Sequence, residues 1–105
     1  MPSGFAPDFP IYTGARLTVA SSVPGSGSTK WTMEWQTLDK VGAVQAYYVG
    51  ALDKNDWILL GYSGDINTRF SATFTRKSNH TLTNSVEVTN SAGLTKIDLV
   101  LNSIP

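Results

Sequence analysis

Residues 37–57, TLDKVGAVQAYYVGALDKNDW, decide the fold. Val41, Val44, Tyr48 and Leu52 recur at spacings of three and four and form one apolar stripe. Tyr47 and Ala51 widen it to the broad face that a helix needs when it lies on a sheet. Asp39 is placed to accept the free N–H groups of the first turn, and its charge suits that end of the helix dipole. Thr37 is the rival cap. Asn55 and Asp56 favour a turn, so the helix should stop near Lys54. Gly42 and Gly50 each cost a helix about 0.5–1 kcal/mol against alanine. They either let the helix approach its sheet or sit on the solvent side.

Outward from this segment the chain reads as strands and turns. Ala15 to Ser22 alternates, with Ala15, Leu17, Val19 and Ser21 on one side and Arg16, Thr18 and Ala20 on the other. Residues 23–28 form a Pro-Gly-Ser turn. Lys30 to Gln36 sends Trp31, Met33 and Trp35 one way and Thr32, Glu34 and Gln36 the other. A hairpin between these two strands is the simplest topology. Trp57 to Ser63 is apolar on both sides, which predicts a central or partly covered strand. Thr68 to Arg76, Thr81 to Thr89 and Thr95 to Leu101 each alternate between Gly- and Asn-containing turns, as an antiparallel meander does. The sum is β-β-α-β-β-β-β: a two-layer α+β domain over residues 15–105, with one helix on one face of a curved antiparallel sheet of about six strands. The other face carries Thr18, Thr32, Glu34, Gln36, Arg69, Ser71, Thr73, Thr81, Thr83, Glu87, Lys96 and Asp98. Residues 1–14 contain Pro2, Pro7, Pro10, Gly4 and Gly14 among Phe5, Phe9, Ile11 and Tyr12. That composition suits an amino-terminal arm packed on the body, or a disordered leader to about Asp8.

At 105 residues the chain fits one small domain. Cysteine is absent, which excludes disulfides, thiol catalysis and thiolate metal sites. Eight basic and eight acidic residues cancel, and only 15% of the chain is charged. Such a surface has no general attraction for nucleic acid or anionic membranes. No run is long or apolar enough for an integral membrane segment. Met1-Pro2-Ser3-Gly4 lacks the basic and apolar regions of a signal peptide. The low charge and Thr-rich strands lean towards an exported protein, with a cytoplasmic one as the alternative.

No catalytic or ligand signature emerges. His80 is the only histidine and has no cysteine or spaced acidic pair beside it. Glu34 and Glu87 share the polar face at a separation that strand order decides. Residues 25–30, GSGSTK, are not a phosphate loop, because they lead into a strand. Asn79-His80-Thr81 matches a glycosylation acceptor. No cofactor or metal is expected, and the residues lean away from an enzyme. The aromatic residues form a core, with Tyr47, Tyr12 and Tyr62 as candidates to line a cleft.

Two stretches are familiar. Pro10-Ile11-Tyr12-Thr13-Gly14-Ala15 before a strand resembles the Pro-x-Tyr-Pro-Gly-Ala opening of small uncharacterised bacterial exported or lipoprotein domains. Val44, Tyr47-Tyr48, Leu52 and Trp57 resemble the Phe-Tyr…Leu…Gly-Trp pattern of their helix. Thr13 stands for the usual proline, Tyr47 for phenylalanine and Asp56 for glycine. The resemblance implies an envelope location (periplasmic or cell-surface), a two-layer α+β fold and no established enzymatic activity. It also implies that Met1 is an added start residue, with an export signal or lipid anchor upstream.

The function expected is therefore that of a non-enzymatic exported accessory or binding domain. Its partner would be a protein or cell-envelope component, met by a face of Thr32, Glu34, Arg69, Ser71, Thr73 and Glu87. One alternative is a small-ligand or lipid carrier with a cleft between helix and sheet. Another is a self-assembling structural module, a homo-oligomer.

Overall fold

The computed structural model describes residues 5, 8–25, 27–65 and 68–103. In chain order the elements are β1 (Arg16–Pro24), β2 (Thr29–Thr37), α1 (Val41–Ala51), β3 (Trp57–Asp65), β4 (Arg69–Arg76), β5 (Thr83–Ser91) and β6 (Leu94–Ser103). The strands form one sheet in the order β1-β2-β6-β5-β4-β3, and every neighbouring pair is antiparallel. The domain is thus a two-layer α+β arrangement with one helix on a six-stranded sheet. The meander starts one strand earlier than expected, at β3, and its last strand returns to lie beside β2. That leaves β1 and β3 at the edges.

Period-two alternation sorts the sheet into two faces. Paired residues point to the same side, so Phe70, Val88, Ile97 and Trp35 make one row of the inner face. Ala72, Val86, Leu99 and Met33 make the next, and all eight are buried. The helix lays Val41, Val44 and Tyr48 against β3, β4 and β5, and Leu52 continues the stripe just past its end.

Asp39 does not cap this helix. Lys40 occupies the cap position without a side-chain hydrogen bond. Asp39 is held by other partners instead. Its N–H donates to Thr37 Oγ1 at 3.2 Å, its carbonyl accepts from Thr95 Oγ1 at 2.6 Å, and its carboxylate accepts from Tyr12 OH at 2.6 Å. The residue anchors the helix entry to β6 and to the arm. The helix also ends at Ala51, short of Lys54. Asn55 then adopts a left-handed φ of 55°, and Trp57 N–H closes a turn onto the Lys54 carbonyl at 3.0 Å.

An eleven-residue helix cannot cover six strands, and the amino-terminal arm supplies the remaining cover. Phe9 is buried between the layers, with ring centres 6.0 Å from Trp35, 6.1 Å from Tyr48, 6.1 Å from Trp57 and 6.0 Å from Phe74. Phe5 packs edge-on to Trp31 at 5.5 Å. The arm is also tied from outside. Arg76 holds the Asp8 carboxylate with two hydrogen bonds, of 2.7 and 2.9 Å, and stacks its guanidinium 4.0 Å above the Trp57 ring. Asp56 completes the cluster, 3.1 Å from Arg76. Trp57 Nε1 donates to the Asp8 carbonyl at 3.2 Å.

Two bulges reassign side chains. The pairing shifts between Leu17 and Val19, so Leu17 faces inward while Val19 pairs with Glu34 on the outer face. Val19 and Ser21 are therefore outward, against the alternation expected for β1. A second shift, between Leu59 and Gly61, falls at Leu60, and β3, apolar on both sides, is an edge strand and not a central one. β5 begins at Thr83, so Thr81 belongs to the preceding turn and not to the sheet face. Asn84 interrupts the inner row of β5, and its Oδ1 accepts the Asn102 N–H at 2.7 Å. At Gly64, where φ is +136°, a Cβ would collide with the Arg69 carbonyl, so only glycine fits.

Two outcomes follow for urea unfolding. Phe9→Ala should cost about 3–5 kcal/mol, the range for a buried phenylalanine. A loss under about 1 kcal/mol would show that the arm is not part of the core. A Cβ at Gly50 meets nothing within 4 Å, which puts this glycine on the open side of the helix. Gly50→Ala should therefore stabilise the fold by about 0.5–1 kcal/mol.

Candidate binding face

The outer face of the sheet has no layer over it among the described residues, and strand register arranges its side chains in rows. Arg16, Gln36, Lys96, Thr89 and Arg69 are mutually paired from β1 to β4. The row two residues further along the strands is Glu34, Asp98, Glu87 and Ser71. The rows lie about 7 Å apart, since a strand rises about 3.4 Å per residue. Four of the six expected face residues fall in these rows, Arg69, Ser71, Glu34 and Glu87, and Thr73 lies in the row beyond. Thr32 shares that third row through its pairing with Val100.

Glu34 and Glu87 do lie on one face, two strands apart, which is about 10 Å. Asp98 stands between them. The sequence puts Asp98 among the outward residues but reveals nothing of its neighbours, because the β2–β6–β5 order is non-local. Glu34 accepts from Thr18 Oγ1 at 2.5 Å and from Gln36 Nε2 at 3.3 Å. The Thr18 hydroxyl is the main cause holding its carboxyl below the ordinary glutamate range. Glu87 pairs with Arg69 at 2.5 Å. Burial, followed by the negative charges of Glu34 and Glu87, pushes the Asp98 carboxyl above the ordinary aspartate range.

A hollow of about 330 Å³ opens where β3, β4 and β5 meet, lined by Gly61, Ser63, Ser71, Thr73 and Ser85 with Tyr62 and Ala72. It exists because these side chains are small and Gly61 has none. Gly61 and Ser63 escape sequence reading, since the β3 bulge sets their face, whereas Ser85 lies on β5 opposite Thr73. A second hollow, of about 290 Å³, lies at the opposite edge against Gly14, Arg16, Gln36, Thr37, Leu38 and Leu94. Leu38 is 84% exposed there.

The tyrosines expected at a cleft separate. Tyr12 and Tyr47 meet edge-on at 5.4 Å, and Tyr47 OH donates to the Ile11 carbonyl at 3.1 Å. Tyr62 does not join them; its ring lies 5.9 Å from Phe70. Between helix and sheet the space is occupied by Phe9, Trp35, Tyr48 and Trp57. Both hollows lie outside that layer. His80 is exposed in the turn before β5. Asn79 Oδ1 accepts from the Thr81 N–H at 3.0 Å and from its hydroxyl. Among the described residues no group of three or more His, Asp or Glu is placed to hold a metal ion. No helix there is long and apolar enough to cross a membrane.

No protein-family model, no curated protein and no solved structure matches this chain.

The acidic row predicts a pH dependence. Asp98 has a folded pKa above its unfolded one. Its contribution is fully present below the unfolded pKa, near 3.8, and is lost as pH rises through the folded value. Asp98→Asn should therefore raise stability at pH 7, by about 0.5 kcal/mol after allowing for solvent screening. The gain should vanish near pH 3, and thermal unfolding at the two pH values checks it.

Proposed function

We propose that the chain is a non-enzymatic binding domain that engages a protein or cell-envelope component through the open face of its sheet. One observation carries this reading: the uncovered polar face is shaped, with a hydroxyl-lined hollow beside ordered charge rows, while the space between helix and sheet is filled. Serine and threonine hydroxyls both donate and accept, so the hollow suits an uncharged polar group of a partner. An exported, periplasmic or cell-surface location fits the low charge and the Thr-rich strands, and the resemblance to small exported domains points the same way.

Thr73→Trp fills the hollow from an exposed position and should leave the fold intact. The immobilised native domain should retain one dominant component from an envelope extract of the source organism. The Thr73→Trp variant should lose it at unchanged melting temperature, and Arg69→Glu should lose it while remaining folded, at a slightly lower melting temperature because it also gives up the Glu87 ion pair. Equal retention by all three would overturn the reading.

A further inference from the structure

The open face is self-complementary. Its charges are ordered across five strands, with cations in one row and carboxylates in the next. A two-fold axis lying in the face, parallel to the rows and midway between them, would bring the cation row of one copy onto the acidic row of another. Rotation about that axis keeps each strand's place along the row. We propose that a second copy of this chain is the partner of this face, docked sheet to sheet so that Lys96 meets the partner's Asp98. The inference rests on the open face being the binding surface.

Three features support this register. Asp98 stands between Glu34 and Glu87 in its own copy, and the rotation brings the Lys96 ammonium of the second copy against it. The same rotation sets Gln36 against the partner's Glu34, an amide donor on a carboxylate. It also moves the outermost residues, Leu38 and Leu94, over the partner's Thr32 and Val100, in the row beyond the acids. The 84%-exposed Leu38 side chain then gains cover. Docking with like rows together would instead stack cation on cation, which sets the register by repulsion as well as attraction. The overlap spans four rows, roughly 20 Å along the strands. It is smaller than the about 800 Å² per partner of a standard interface, so the pair is weak and sensitive to salt.

The test is sedimentation equilibrium of the full chain up to about 1 mM, an upper concentration set by the affinity of a small polar interface. Association should weaken about tenfold or more between low and high salt. Lys96→Glu and Asp98→Lys should each reduce it by a similar factor. An equimolar mixture of the two should restore it, because both contacts of the mixed pair become attractive. Leu38→Glu should weaken it without altering either row. Circular dichroism confirms that each variant is folded. A wild-type mass that stays monomeric, reversals without effect, or a mixture that does not associate would each overturn the proposal. A monomer that still retains an envelope component through Thr73 removes only the second copy as partner. A monomer that retains nothing removes the binding face as well.

Discussion

Phe9 holds the two layers together. It touches Trp35 and Phe74 of the sheet, Tyr48 of the helix and Trp57 at the start of β3, so one side chain links four elements. The need for it is geometric. A helix of eleven residues is about 16 Å long, whereas six strands span about 24 Å, so part of an apolar sheet face would otherwise meet water. The arm closes that gap with aromatic surface. Asp8, bound by Arg76 and by Trp57 Nε1, keeps it in place. Burial of this kind outweighs any single ion pair at the rim, which contributes at most about 1 kcal/mol.

With helix and arm on one side, most of the apolar residues are used there. The other side carries hydroxyls, amides and charges in register, with Val19 and Val100 among them. That asymmetry is the basis of the proposed binding role. A filled inner layer leaves the outer face as the surface with shape and unsatisfied electrostatics, and the antiparallel ladder converts sequence alternation into straight rows of charge. Asp98 stands between two other carboxylates, Glu34 and Glu87.

Much of the fold was legible in the chain because its periodicities are local. The stripe Val41, Val44, Tyr48 and Leu52 marks the helix, and Trp31, Met33 and Trp35 mark an inner face. What was hidden depended on distant partners. Asp39 suits a cap by type, but Thr95 and Tyr12, remote in sequence, claim it. Val19 was turned outward, and Gly61 and Ser63 given their face, by bulges that no alternation reveals. The face residues Thr32, Glu34, Arg69, Ser71, Thr73 and Glu87 followed from period-two arithmetic. Their arrangement in rows, with Asp98 central, needed the β2–β6 pairing.

The central claim is that the amino-terminal arm completes the inner layer and so leaves the outer face as the free surface. Nuclear Overhauser spectroscopy on the full chain tests it most directly. The account predicts cross-peaks from the Phe9 ring to Trp35, Tyr48, Trp57 and Phe74, with Phe9 protons shifted by ring currents. Phe9 signals at unfolded-chain positions, without cross-peaks to those four rings, would contradict it.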